Sequence, residues 1–192
     1  MPWEKSFDET QAIDKAINVF WQKGYEATSI SNLVDGIGIN KGSLYNAFKG
    51  KRQLFLMALA QYDNAIRRDM LTDLENLDDP VLAFRTLFDT LVTQAVKDDK
   101  GCFFVNTFIE FDSHEAEVQA LLKKSASEFE AFFQRGIEVA QARGDLSKEI
   151  NPYSAAKGLY SMVVAIRVLA RGVSDESALR VVAAQALSLV RL

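Results

Sequence analysis

Between Lys41 and Arg52 the chain places four cations, Lys41, Lys49, Lys51 and Arg52, among Ser43, Tyr45 and Asn46, with no acid in the stretch. The protein as a whole is acidic, with a formal net charge of -4. Ammonium and guanidinium groups at this density neutralise phosphates, and the field that matters is local, decaying over about 8–10 Å. The hydroxyls and the carboxamide between the cations add the hydrogen bonds that phosphate oxygens and base edges require. A solvated face is the plainer reading of such a cluster, so the elements that carry it decide between the two. Elsewhere, reactive groups are sparse. One cysteine, Cys102, excludes an internal disulfide, and one histidine, His114, removes most metal sets. No clustered acid–base groups and no nucleotide-binding glycine loop are present, which argues against an enzyme, and no cofactor is expected.

The elements that must position the basic stretch are helical. Ile13, Ala16, Ile17, Phe20 and Trp21 recur at i, i+3, i+4, i+7 and i+8, with Asp8 and Gln11 as a capping box and Gly24 as the stop. Thr28 is expected to cap a short second helix with Ile30, Leu33, Val34 and Ile37 inward, although Gly36 within it costs about 1 kcal/mol against alanine. Gly38 makes the turn and Asn40 caps a third helix to about Phe48, with Leu44, Ala47 and Phe48 inward and Lys41, Ser43, Tyr45 and Asn46 outward. Two such short helices are unstable alone and must be held by burial against the first. Joined by a glycine turn, they have the outline of a helix-turn-helix. Lys51 and the free N–H groups opening a fourth helix form a second phosphate site, and Thr28 a third.

Further along, helices are expected from Lys51 to about Asn76, from Asp79-Pro80 to about Val96, over the apolar CFFVNTFIEF, from a Ser113 cap to Gly144, from Asn151-Pro152, and from a Ser174 cap to the end. The expected fold class is all-α with about nine helices: a helix-turn-helix domain over 1–52 and a larger helical domain over 53–192, with the fourth helix linking them. No apolar run approaches the roughly 18 residues of a membrane span, and the N-terminus lacks a secretory pattern. A cytoplasmic protein without membrane association is expected.

The stretch TSISNLVDGIGINKGSLYNAFKGKRQLF resembles the DNA-binding domain of the TetR family of bacterial transcriptional regulators. The matching features are Thr28, the apolar Ile30, Leu33 and Val34, the run Gly38-Ile39-Asn40-Lys41-Gly42-Ser43-Leu44-Tyr45, then Phe48, Lys51 and Leu54. The upstream AIDKAINVFWQKGYEATS is similar to the family's first helix. The resemblance implies that Thr28, Tyr45 and Lys51 hold phosphates and that Lys41, Gly42, Ser43 and Asn46 lie near base edges, with Lys49 in the same cationic set. Each has a structural alternative: Tyr45 packs its ring on helix two, or Asn46 only caps. The implied partners are double-stranded palindromic operator DNA, a second copy of the chain and a small-molecule effector. The implied role is a repressor released by that effector; an effector-independent DNA-binding dimer and an activator are the alternatives.

In the C-terminal part, Leu159, Met162, Val163, Ile166 and Leu169 on helix eight and Val182, Ala186 and Leu189 on helix nine are apolar around much of the circumference. Burial on two sides is expected, either within a monomer's core or, as the resemblance implies, in a two-fold interface. Phe84, Phe88, Phe103, Phe129 and Phe133 fit a core by periodicity and a ligand cavity by resemblance, with Cys102, Asn106, Thr107, Tyr160 and Arg167 as its polar contacts. Cys102 reads either as a small buried hydrophobe or as a redox or electrophile sensor activated beside Lys100 or a helix N-terminus.

Overall fold

The computed structural model describes residues 7–97, 101–111, 115–172 and 175–192. Among the described residues the chain forms nine helices and no strand. They are α1 (Glu9–Lys23), α2 (Ile30–Ile37), α3 (Lys41–Phe48), α4 (51–75), α5 (Pro80–Lys97), α6 (Phe103–Glu110), α7 (Ala116–Arg143), α8 (Pro152–Leu169) and α9 (Glu176–Ser188). Helix α4 is α-helical over Lys51–Tyr62, π-helical over Asp63–Arg68 and α-helical again over Asp69–Glu75.

Local capping sets most of these ends. Asp8 accepts from Gln11 N, Asn40 from Ser43 N, Asp79 from Val81 N and Leu82 N, and Asn151 from Ser154 N, each satisfying an otherwise orphaned donor. Two caps differ from expectation. Ser29, not Thr28, begins α2, in a reciprocal box with Asn32. Asp175 caps α9 by accepting from Ala178 N; the expected caps Ser174 and Ser113 lie outside the described residues, as do His114 and Lys100. Between α2 and α3, Gly38 adopts the left-handed conformation (φ 82°) that the tight turn requires.

Gly36 has a packing reason that propensity hides. A Cβ built on it would lie 2.4 Å from Val19 Cγ2, so glycine lets α2 seat on α1. Val19 is stiff about χ1 in a helix and cannot swing clear cheaply. Gly36→Ala is therefore expected to lower stability by about 1–3 kcal/mol despite alanine's better helix propensity. The Val19→Ala/Gly36→Ala double variant should recover most of it in urea denaturation. A stabilised single variant would refute the close approach.

Two apolar cores organise the chain. The first, under α1–α4, is built on Phe20, Leu33, Leu44, Phe48, Leu54, Phe55 and Leu59, and extends to Phe103 of α6 and Val118 and Leu122 of α7. The second lies among the end of α4, α5, α7, α8 and α9. Helix α4 contributes to both, and α6 docks on the first core while standing at the edge of the second.

Candidate nucleic-acid interface and effector cavity

On α3, Leu44 and Phe48 are buried in the first core beside α2 and α4, which turns Lys41, Gly42, Tyr45 and Asn46 to the outside. Ser43 does not share that face: it is only 7% exposed, and its backbone N–H donates to the Asn40 cap at 2.8 Å. Lys49 ends α3 in the left-handed region (φ 59°), and its ammonium donates to Asn46 O. The link through Gly50 is so short that Lys49 and Lys51 stand at adjoining helix ends. Helix α4 begins without a side-chain cap, so the N–H groups of its first turn face outward for an anion beside Lys51.

The ammonium of Lys51 is held in place by the turn after α1. It donates to Glu26 O at 3.3 Å and sits 4.3 Å from the centroid of the Tyr25 ring. Thr28 is buried, with its hydroxyl donating to Gly24 O at 2.5 Å, so it braces this turn and offers no hydroxyl to a phosphate. Exposed Ser29 holds the end of α2 instead. The charge of Arg52 is also committed elsewhere: its guanidinium pairs with Glu115 (2.5 Å) and Glu117 (2.9 Å) at the start of α7.

The same turn is gripped from α6. The Glu110 carboxylate accepts from Tyr25 N (2.9 Å) and Glu26 N (2.8 Å), and the Phe111 ring lies 5.0 Å from both Tyr25 and Phe55. Nothing in the local sequence announces Glu110, whose partners are more than eighty residues away.

Helix α6 also forms a wall of a cavity of about 400 Å³ bounded by the π segment of α4, Leu91 of α5, α7 and α8. Cys102, Phe129, Tyr160 and Arg167 line it, together with Tyr62, Asp63, Arg67, Phe104, Phe108, Leu122 and Val163. The remaining residues expected there do not. Phe84, Phe88 and Phe133 are fully buried against one another in the second core, and Phe103 packs on Phe55 in the first. Thr107 spends its hydroxyl on Phe103 O, and Asn106 accepts from Arg171. On α6 the cavity face is 104, 105 and 108 rather than 103 and 107, because the first core claims Phe103.

The Asp63–Arg67 pair is the polar wall that the sequence reading missed, although acid and arginine at i, i+4 is a legible signal. Arg67 is buried and bonded to both oxygens of Asp63 (2.5 Å each) and to Glu128. A π turn at that place widens the helix where the pair projects. Burial pushes the Tyr62 phenol well above its ordinary pKa and the Tyr160 phenol up to about 12. Both are neutral hydrogen-bond donors at ordinary pH. The Tyr62 hydroxyl reaches Cys102 Sγ at 3.7 Å.

Comparison with known proteins adds to this geometry. The model of bacterial regulatory proteins of the tetR family matches residues 12–58, and that of the tetracyclin repressor-like C-terminal domain matches 82–186. The chain belongs to the TetR family. It is 30% identical to the uncharacterized HTH-type transcriptional regulator YezE of Bacillus subtilis, over 89% of this chain and 90% of that one. It is 29% identical to the HTH-type transcriptional repressor ComR of Escherichia coli, over 92% and 86% respectively. Among solved structures it is similar to a cysteine mutant of the TetR-family regulator CifR bound to 26bp double-strand operator DNA, with TM-score 0.84, 26% identity, and 95% and 97% of the chains covered. As a TetR-family protein the chain is a DNA-binding transcriptional regulator, and α2–α3 is its helix-turn-helix.

The C-terminal helices of this TetR-family chain correct one expectation. Leu159, Val163, Ile166 and Ala186 are buried in the chain's own second core. The accessible apolar stripe lies a third of a turn away: Gly158, Met162, Ala165 and Leu169 on α8, and Val181 and Val182 on α9 with Leu189 at its C-terminal cap. The two stripes adjoin, since a Cβ on Gly158 would lie 3.0 Å from Leu189 Cδ1. No described helix is long and apolar enough to cross a membrane.

Proposed function

We propose that the chain is a homodimeric, cytoplasmic repressor that occupies a palindromic operator and is released when a small molecule enters the cavity. Helix α3 would lie in the major groove with Lys41, Gly42 and Asn46 toward base edges. Tyr45, Lys49, Lys51 and the N–H groups opening α4 would hold phosphates. In this reading residues 1–52 form the DNA-binding domain, and 53–192 carry the cavity and the dimer contact. The dimer would form through the apolar stripe of α8 and α9, including Met162, Leu169, Val182 and Leu189. The observation that carries the proposal is the Glu110 grip. One helix lines the cavity and also holds the turn that positions Lys51, so a molecule that displaces α6 changes the phosphate clamp. Such coupling needs only about 1–3 kcal/mol of differential affinity between the two arrangements.

Fluorescence anisotropy on duplex flanking the chain's own gene tests this. Lys51→Ala is expected to weaken binding about tenfold near 0.15 M salt and to flatten the salt dependence, with about 0.9 fewer counterions released per protomer. An unchanged slope would remove Lys51 from the phosphate contacts. Sedimentation as a single copy would remove the dimer.

A further inference from the structure

We propose that the cavity takes an amphipathic anion, a molecule with an apolar, ring-sized body and one carboxylate-like group that seats against Arg167. The inference rests on the effector reading of the cavity and names the chemistry of its occupant. Size comes first. A volume of about 400 Å³ lies in the range of about 300–1,000 Å³ that small-molecule pockets occupy.

Charge then narrows the class. Among the described residues the wall carries three cations, Arg67, Lys123 and Arg167, and a single carboxylate, Asp63. Asp63 is held at both oxygens by the Arg67 guanidinium, so its negative charge is already compensated within the wall. The second carboxylate on Arg67, Glu128, is outside the lining and a third exposed. Arg167 is different. Its hydrogen-bond partner is the neutral carboxamide of Gln94 at 2.7 Å, and no carboxylate lies within ion-pair distance of it among the described residues. A half-buried guanidinium with five N–H donors and one neutral partner gains from an anion, with which it makes short charge-assisted bonds.

Geometry gives the occupant its length. Tyr160 and Arg167 are seven residues apart on the same face of α8, about 10 Å at 1.5 Å per residue. Val163 and Val164 stand between them on the cavity wall. At the Tyr160 end its ring lies 5.8 Å from that of Phe129 at an angle of 32°, which gives an aromatic seat. At the other end is the guanidinium. The cavity therefore offers an aromatic seat beside Tyr160 and a guanidinium further along the same face of α8.

The test uses three probes on one skeleton: 4-phenylbutyrate, its amide and 4-phenylbutylamine, titrated calorimetrically and by thermal shift into the full chain. The carboxylate is expected to bind about tenfold or more tightly than the amide, with the amine weakest. Arg167→Gln should erase that preference while the amide's affinity stays; Arg167→Lys should keep part of it, which separates charge from lost packing. An amide or amine that binds as well as the acid, or a preference that survives Arg167→Gln, overturns the anion assignment and leaves the cavity as a neutral effector site. Absence of binding by all three at millimolar concentration overturns the inference. If 4-phenylbutyrate binds but an Ala126→Phe filling variant takes it as tightly as the parent, it seats elsewhere and the cavity reading falls with the inference.

Discussion

Phe55→Ala is expected to cost about 3–5 kcal/mol of folding stability and to abolish DNA binding at concentrations where the parent is saturated. The ring is 1% exposed and sits where three parts of the chain meet. It packs edge-on to Phe20 of α1 at 5.0 Å and to Phe103 of α6 at 5.6 Å. It also lies 4.8 Å from Tyr25 of the following turn and stacks on Phe111 at 5.0 Å. Alanine removes the transfer energy of a full aromatic side chain and leaves a void that four rings line and cannot all collapse into. The functional loss follows from what those rings hold. Tyr25 carries the Lys51 ammonium on its face, and Phe111 follows Glu110 directly. Phe55→Leu keeps most of the volume and should cost no more than about 1.5 kcal/mol. Urea denaturation of both variants, with anisotropy on operator DNA, checks the pair. A loss below about 1 kcal/mol for alanine would show that the hub is not structurally required.

Arg67→Met should be nearly as damaging, by about 3–5 kcal/mol. Arg67 is 5% exposed and Asp63 7% exposed. Methionine fills much of the arginine's volume but leaves the Asp63 carboxylate inside an apolar wall without its two guanidinium bonds. The cost is that of an uncompensated buried charge, not that of a lost attraction. The Asp63→Leu/Arg67→Met double variant is therefore expected to regain most of the stability, since a well-packed apolar pair often matches a buried ion pair. Denaturation midpoints around the complete double-mutant cycle give the coupling directly. If the double variant is as unstable as the single one, the penalty lies in packing and the electrostatic account is wrong. In either outcome the pair shapes the cavity, because both residues stand on its wall at the π segment of α4.

These two sites differ in how much of them the sequence displays. Asp63 and Arg67 lie four apart and could have been paired by spacing alone, yet their burial depends on α7 and α8 closing over them. Phe55 is one aromatic among many in an apolar run, and its four partners come from positions 20, 25, 103 and 111. The basic stretch was legible as a unit because cations, turn glycine and cap fall within fifteen residues. Its individual roles were less so. Ser43 and Thr28 turned inward, and Arg52 went to Glu115 and Glu117, because a hydrogen-bonding side chain near an interface takes whichever partner the packing presents. The phenylalanines of α5 and α7 carried no mark that assigned them to core or cavity; Phe84, Phe88 and Phe133 fill the interior, while Phe129 alone of the expected set from α7 faces the void.

By itself the sequence determined the number of helices, most of their ends and the outward placement of Lys41, Tyr45 and Asn46. Those depend on caps, glycine turns and apolar periodicity, interactions that close within about four residues. Only the tertiary structure decided that α6 exposes 104, 105 and 108 to a cavity, that Glu110 grips the turn under Lys51, and which stripe of α8 and α9 stays open. Each of those follows from a competition between faces of comparable apolarity, and the winner is set by partners some forty to ninety residues away whose positions no local pattern encodes.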